Sequence, residues 1–225
     1  MRLSIIIPVL NEEPTIAATL ADLDRTEASE VIVVDGGSTD RTAEVVRATS
    51  ARLVVSPRGR AAQMNAGARQ AAGDVLLFLH ADTRLPAGAS RDIRECMADA
   101  RCAGGRFDIR LDSTRPLLRL VGRMISLRSR LTRVATGDQA IFVRRAVFER
   151  LGGFPEMPLM EDVAFSRALK KEGSIACLRA RVTSSARRWE QHGPVRTILL
   201  MWALKLLYLA GVPPTRLKRL YGDAR

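Results

Sequence analysis

The sequence predicts an α/β fold built on a mostly parallel sheet flanked by helices. Three observations carry that expectation: short runs that are apolar at every position, helical stretches alternating with them, and Gly/Ser-rich turns at the junctions. A strand covered on both faces has no polar side, so an unbroken apolar run suits a buried parallel strand, and its alternation with helices implies βαβ units.

The first predicted strand covers residues 3–8 and ends at Pro8. It lacks the longer apolar region and small-residue cleavage site of a secretion signal, so a buried strand is expected there. A helix over 14–24 follows, then a strand at 31–34, a helix over 39–49, a strand at 53–55, a helix over 61–72 and a strand at 75–79. Gly36, Gly37 and Ser38 supply the turn after the second strand, and Ser38 or Thr39 can cap the next helix. Beyond residue 100 the pattern loosens to isolated strands at 105–111, 139–143 and 175–178. Helices separate them, notably 115–134, 162–171 and 194–211. No Pro/Ser-rich linker interrupts the chain, so one domain over 1–225 is expected, with halves 1–112 and 113–225.

The 225 residues are 47% hydrophobic, enough for a substantial core, which excludes whole-chain disorder. Cys96, Cys102 and Cys177 form no CxxC or Cys/His cluster, which argues against a disulfide scaffold or a zinc site and for a reduced, cytoplasmic setting. The net charge of +12 is lopsided. Residues 1–112 carry 14 Lys and Arg against 16 Asp and Glu, net −2, whereas 113–225 carry 22 against 8, net +14. With only 4% aromatic residues there are few platforms for stacking bases, so nucleic acid is not an expected partner. Residues 198–212 form the longest apolar stretch, but Lys205 interrupts it and as a helix it reaches only ~22 Å, short of the ~30 Å of a bilayer core.

In an open parallel sheet, ligands bind beyond the carboxyl ends of the strands. Strand one ends in Pro8, Asn11 and Glu12, strand two in Asp35, Gly37 and Ser38, and strand four in His80, Ala81 and Asp82. Carboxylates and amides converging there suit a nucleoside, and a carboxylate after the fourth strand suits a divalent cation held against a diphosphate.

The segments SIIIPVLNEE (4–13), VIVVDGGSTD (31–40) and LHAD (79–82), with PLMEDV (158–163) and Arg187-Arg188-Trp189, resemble family 2 glycosyltransferases of the GT-A, Rossmann-like fold. With GRAAQMNAG (59–67) the pattern is similar to a compact bacterial subgroup, the selenodomain-associated or diaponeurosporenoate-type glycosyltransferases. The resemblance implies a nucleotide-sugar half, an acceptor half and an apolar C-terminal helix.

It further implies an inverting, metal-dependent transfer of one sugar from a UDP- or GDP-linked donor to a hydroxyl acceptor, with Mg²⁺ or Mn²⁺ as cofactor. Pro8, Asn11, Glu12, Asp35 and Gly37 would surround the nucleoside, with Asp35 accepting from the base. Arg60, Asn65, His80, Ala81, Asp82, Arg188 and Trp189 would meet the rest of the donor, and Asp138, Glu161 and Arg187 the sugar or acceptor. Asp162, the second member of the Glu-Asp pair, would be the catalytic base. Asp82 would hold the metal, with His192 as a second candidate ligand. Two departures stand out. His80 replaces the first carboxylate of the usual Asp-x-Asp, and Ser185 stands where processive members carry Gln, which favours single transfers. The lost carboxylate leaves open a noncatalytic nucleotide- or polyanion-binding protein, which the intact Glu161-Asp162 pair disfavours.

Arg115, Arg119 and Arg123 recur at i+4 beside Leu117, Leu118, Leu120, Val121, Met124 and Ile125, a basic stripe flanking an apolar face. Such a helix can lie among anionic headgroups at the inner face of the cell membrane, with the 194–211 helix beside it, or the apolar surface can be core or close a homodimer. A lipid-linked acceptor is one of the options this leaves open.

Overall fold

The computed structural model describes residues 1–23 and 28–222. The chain runs β1 (Leu3–Val9), α1 (Glu13–Leu23), β2 (Glu30–Asp35), α2 (Thr42–Arg47), β3 (Arg52–Val55), α3 (Arg60–Gln70), β4 (Val75–Phe78), β5 (Thr83–Arg84), α4 (Ala89–Met97) and β6 (Cys102–Asp112). It continues through α5 (Pro116–Thr132), a 3₁₀ turn (Gly137–Gln139), β7 (Ile141–Arg144), α6 (Arg145–Arg150), α7 (Glu161–Leu169), β8 (Ser174–Ser185), α8 (Arg187–His192), α9 (Pro194–Leu209) and α10 (Pro214–Tyr221).

Eight strands form one sheet in the order β3-β2-β1-β4-β7-β6-β8-β5. β3, β2, β1 and β4 pair in parallel, as the unbroken apolar runs require. β7 then joins antiparallel between β4 and β6, and β8 runs parallel to β6. Alternate residues of β1 feed opposite faces: Ile5 and Ile7 join one buried cluster with Ile16, Leu20 and Ile93, and Ile6 joins another with Ile32, Met64 and Phe165. Helices therefore cover both sides of the sheet. α3 lies close against β1 and β2 because Gly67 has no side chain; a Cβ there would sit 2.5 Å from Ile6 Cγ2 and 2.9 Å from Val34 Cγ2.

The second half departs from the sequence expectation in extent. β8 is twelve residues long, because the polar segment 179–185 continues to pair with β6 beyond the apolar run at 175–178. Gln139, expected to open a strand, instead closes the 3₁₀ turn, where its side chain completes a capping box with Thr136 and donates to Ser129 Oγ at 2.9 Å. The predicted helix over 14–24 is seen to Leu23, and Asp24 lies outside the described residues. The C-terminal helices dock through Leu204 and Leu217 onto Met160 and Val163 at the start of α7, forming a third small core. That contact brings the C-terminal region against the start of α7.

Candidate active site

The carboxyl ends of β1 and β2 are shaped by short polar loops. Asn11 adopts a left-handed conformation (φ 54°), and its Oδ1 accepts from the Thr39 N–H at 2.8 Å, tying the two strand ends together. Asp35 is buried, and its Oδ1 accepts from the Ser38 N–H at 3.0 Å and the Ser38 hydroxyl at 2.5 Å. Gly37 takes φ 89°, a conformation that favours glycine, to let that loop close. Glu12 accepts from the Thr15 hydroxyl at 2.9 Å while Pro8 is buried within β1. Beneath this loop Gln63 donates to the carbonyls of Val9 and Val34, at 2.7 and 2.8 Å, bracing the strand ends from below.

Asn65 has a different place from the one expected. Its side chain is turned into the interior, where Nδ2 donates to the Phe154 carbonyl and Oδ1 accepts from the Phe154 N–H, both at 2.8 Å. Both ends of the amide are thus engaged with backbone. Asn65 anchors the loop before α7, whereas Arg60, on the half-exposed first turn of α3, reaches Glu161.

Arg60 is where the halves of the chain meet. Its guanidinium lies 3.7 Å from Glu161 Oε1. Although burial works against its charge, Glu161, Tyr221, Asp162 and Asp82 together hold its pKa above the ordinary arginine value. The end of β4 and the start of α7, far apart in sequence, therefore face one cation. Glu161 itself is buried, and burial, reinforced by the Asp162 charge and opposed by Arg60, pushes its pKa up to about 7. Asp162, at the amino end of α7, accepts from the Gly137 N–H through Oδ2 and from the Val163 N–H through Oδ1, both at 2.7 Å. Gly137 must be small there, since a Cβ would lie 2.6 Å from His80 Nε2. His80, the 3₁₀ turn and Asp162 are consequently one packed unit.

Asp138 accepts from the Thr136 hydroxyl at 2.5 Å, and burial and the nearby Asp162 charge raise its pKa. Opposite the two carboxylates stand two cations that sequence reasoning did not assign, Arg128 of α5 and Lys205 of α9. Burial lowers the pKa of each, and both lie within the electrostatic reach of Asp138 and Asp162. Among the described residues Arg128 Nη2 is buried with no hydrogen-bond partner. The signal in the sequence was Lys205 itself, the one charge within the apolar stretch 198–212.

The Arg-Arg-Trp segment divides. The Arg188 guanidinium stacks 3.8 Å over the Tyr221 ring, and among the described residues its buried Nε has no hydrogen-bond partner. Trp189 packs half-buried against the first core, and Arg187 and His192 are exposed on α8. Ala81 is buried, its carbonyl accepting from the Thr19 hydroxyl at 2.6 Å, and Asp82 is half-buried at the end of β4. Among the described residues no three His, Cys, Asp or Glu side chains cluster in a way that would hold a metal ion. His192 therefore joins no such set. A hard divalent cation needs less from protein, since Mg²⁺ keeps several waters and takes one or two carboxylates plus substrate phosphates. Asp82, half-buried in the turn after β4, fits that limited role.

Residues 4–151 match the family described as Glycosyl transferase family 2. An undecaprenyl-phosphate 4-deoxy-4-formamido-L-arabinose transferase of Pseudomonas aeruginosa (strain LESB58) is 36% identical over 96 residues, covering 37% of this chain and 28% of that protein. The chain thus spans well under two thirds of that relative's length. Among solved structures, S. aureus TarS 1-349 in complex with UDP-GlcNAc superposes with a TM-score of 0.65 at 22% identity, over 82% of this chain and 58% of that one. The mannosyltransferase PcManGT from Pyrobaculum calidifontis, in complex with GDP-Man and Mn²⁺, gives 0.64 at 22% identity, over 81% and 56%. The shared architecture is the GT-A fold, a mostly parallel sheet flanked by helices.

Proposed function

The chain belongs to glycosyl transferase family 2, and from that premise we propose that it moves one sugar from a UDP- or GDP-linked donor to a hydroxyl acceptor, with inversion at the anomeric carbon. The observation that carries this reading is the 3.7 Å pairing of Arg60, at the start of α3, with Glu161 of the Glu161-Asp162 pair, a guanidinium on which the Asp162 and Asp82 charges also act. In this reading the nucleoside lies over Pro8, Asn11, Glu12 and Gly37. Asp35 accepts from a base N–H with the lone pairs that Ser38 leaves free. Arg60 and Arg188 meet the diphosphate, a pair of guanidinium groups suited to bidentate phosphate contact.

Asp82 would hold Mg²⁺ or Mn²⁺, with His80 nearby in the same loop. Bound there, such an ion supplies neutralisation of the charge that builds on the departing diphosphate. The remaining work falls to this chain's side chains. Asp162 uses lone pairs not engaged by the Gly137 and Val163 N–H groups to take the acceptor's hydroxyl proton. As that oxygen bonds to the anomeric carbon, the bond from carbon to the diphosphate oxygen breaks on the opposite face. Glu161 positions Arg60, and Asp138, Arg128 and Lys205 line the acceptor side. The undecaprenyl-phosphate transferase among the relatives supports a lipid-linked acceptor as the finer reading.

A thermal-shift panel of UDP- and GDP-sugars with and without Mn²⁺ tests this. One donor is expected to raise the melting temperature, the more so with Mn²⁺, since a ligand at a hundred times its dissociation constant stabilises by about 2.7 kcal/mol. Asp82→Ala should lose the Mn²⁺ increment. Indifference to every donor, or an Asp82→Ala protein that keeps the full increment, contradicts the assignment.

A further inference from the structure

The face of α5 turned away from the sheet takes no part in the site above. We propose that this face, with the groove beside it, docks onto an anionic lipid bilayer. The helix carries two distinct apolar sets. Leu118 and Val121 are buried, whereas Leu117, Leu120, Met124, Leu127 and Leu131, at alternating three- and four-residue steps, are 42% to 76% exposed. Core packing therefore accounts for the first set and leaves the second as a continuous exposed stripe.

Along one flank of that stripe run Arg119 and Arg123, four residues apart, which line a cavity of about 730 Å³ between α5 and the β6–β8 edge together with Arg110, Arg130 and Arg181. Its acids are already engaged: Asp108 pairs with Arg106 and Arg130, Asp112 with Arg84, and Glu190 accepts from Ser113. Among the described residues the guanidinium groups of Arg119 and Arg123 have no protein partner. The groove is left with an excess of positive charge. Leu127 belongs to both features, lining the groove and standing in the stripe, so a surface that meets one meets the other. Helix α9 adds a second exposed stripe, Val195, Leu199, Trp202, Leu206 and Leu209, and stands beside α5 where the Lys205 charge is felt by Arg128.

An apolar stripe edged by cations is the chemistry of a helix lying in a membrane interface, with its leucines among acyl chains and its arginines among lipid phosphates. An antiparallel pairing of two copies through the same stripe would instead bring the two arginine flanks together, whereas anionic headgroups offset their charge. Charge complementarity thus selects the bilayer as the occupant. No described helix is long and apolar enough to cross a membrane, so the contact is peripheral. It is independent of the transfer reaction and is tested without it.

The test is flotation of the full chain with phosphatidylcholine vesicles, with and without phosphatidylglycerol. Flotation with the anionic vesicles, weakened by salt, is expected. Arg119→Glu/Arg123→Glu should weaken it by about tenfold or more, and Leu120→Ser/Met124→Ser should abolish it, with melting temperatures unchanged because all four side chains are exposed. Three results would overturn the proposal: no flotation with anionic vesicles, flotation unaffected by both variants, or a dimer in sedimentation that the serine variant dissolves. Binding of inorganic phosphate at the groove without vesicle binding would likewise overturn it in favour of a soluble anion site.

Discussion

Glu161→Gln removes a carboxyl group whose ionisation the fold resists. Its side chain is 5% exposed, and burial, with the Asp162 charge, lifts its pKa from 4.5 to about 7 against the pull of Arg60. A folded-state value above the unfolded one means that the native protein holds this proton more tightly. The associated stability is whole below about pH 4.5 and is lost as pH rises through 7. At 1.36 kcal/mol per tenfold change in proton affinity, the displacement is worth about 3 kcal/mol. Glutamine keeps the shape and cannot ionise, so the comparison isolates the carboxyl group. Urea unfolding of both proteins between pH 4.5 and 8 should show the stability of the parent relative to Glu161→Gln falling by about 3 kcal/mol across the window and levelling off above it. A constant difference would refute the buried carboxyl. A difference that grows with pH would mean that the Arg60 ion pair outweighs burial.

Two further substitutions separate anchoring from chemistry. Asn65→Ala should destabilise the protein by about 2 to 4 kcal/mol in chemical denaturation, because it removes two hydrogen bonds and strands the Phe154 N–H and carbonyl in the interior. Arg128→Met should do the reverse, holding or raising the melting temperature by relieving a partly buried, incompletely bonded cation while lowering kcat/KM for sugar transfer by about 10²-fold.

The parallel half was legible because its chemistry is local. β1, β2 and β4 are built on the unbroken apolar runs 5–7, 31–34 and 75–78, and the strand ends and the loops that follow place Asn11, Asp35 and Asp82 at adjacent positions. The far side was less so, because its members meet only through tertiary packing. Lys205 looked like a flaw in an apolar helix until Leu204 and Leu217 docked that region on α7 and turned the ammonium toward Asp138. Tyr221, on a helix the sequence pattern did not suggest, reaches Arg188 and Arg60 by the same contact. The anchoring by Asn65 was hidden for a related reason: its spacing from Arg60 puts both on one short helix, but nothing local reveals that the Phe154 backbone bonds its amide. In α5 the list of apolar residues was sound while their partition between core and surface required the structure.

Asp162→Asn tests the central claim most directly, with donor binding and turnover measured on the same protein. Asparagine keeps an oxygen to accept the Gly137 N–H but cannot take a proton from an acceptor hydroxyl at neutral pH. Nucleotide-sugar affinity within about threefold of the parent, with kcat for transfer reduced by about 10²-fold or more, is the predicted result. Transfer at the parental rate would contradict the assignment of Asp162 as the base, and with it the reading of the crevice as a sugar-transfer site organised around the Glu161-Asp162 pair.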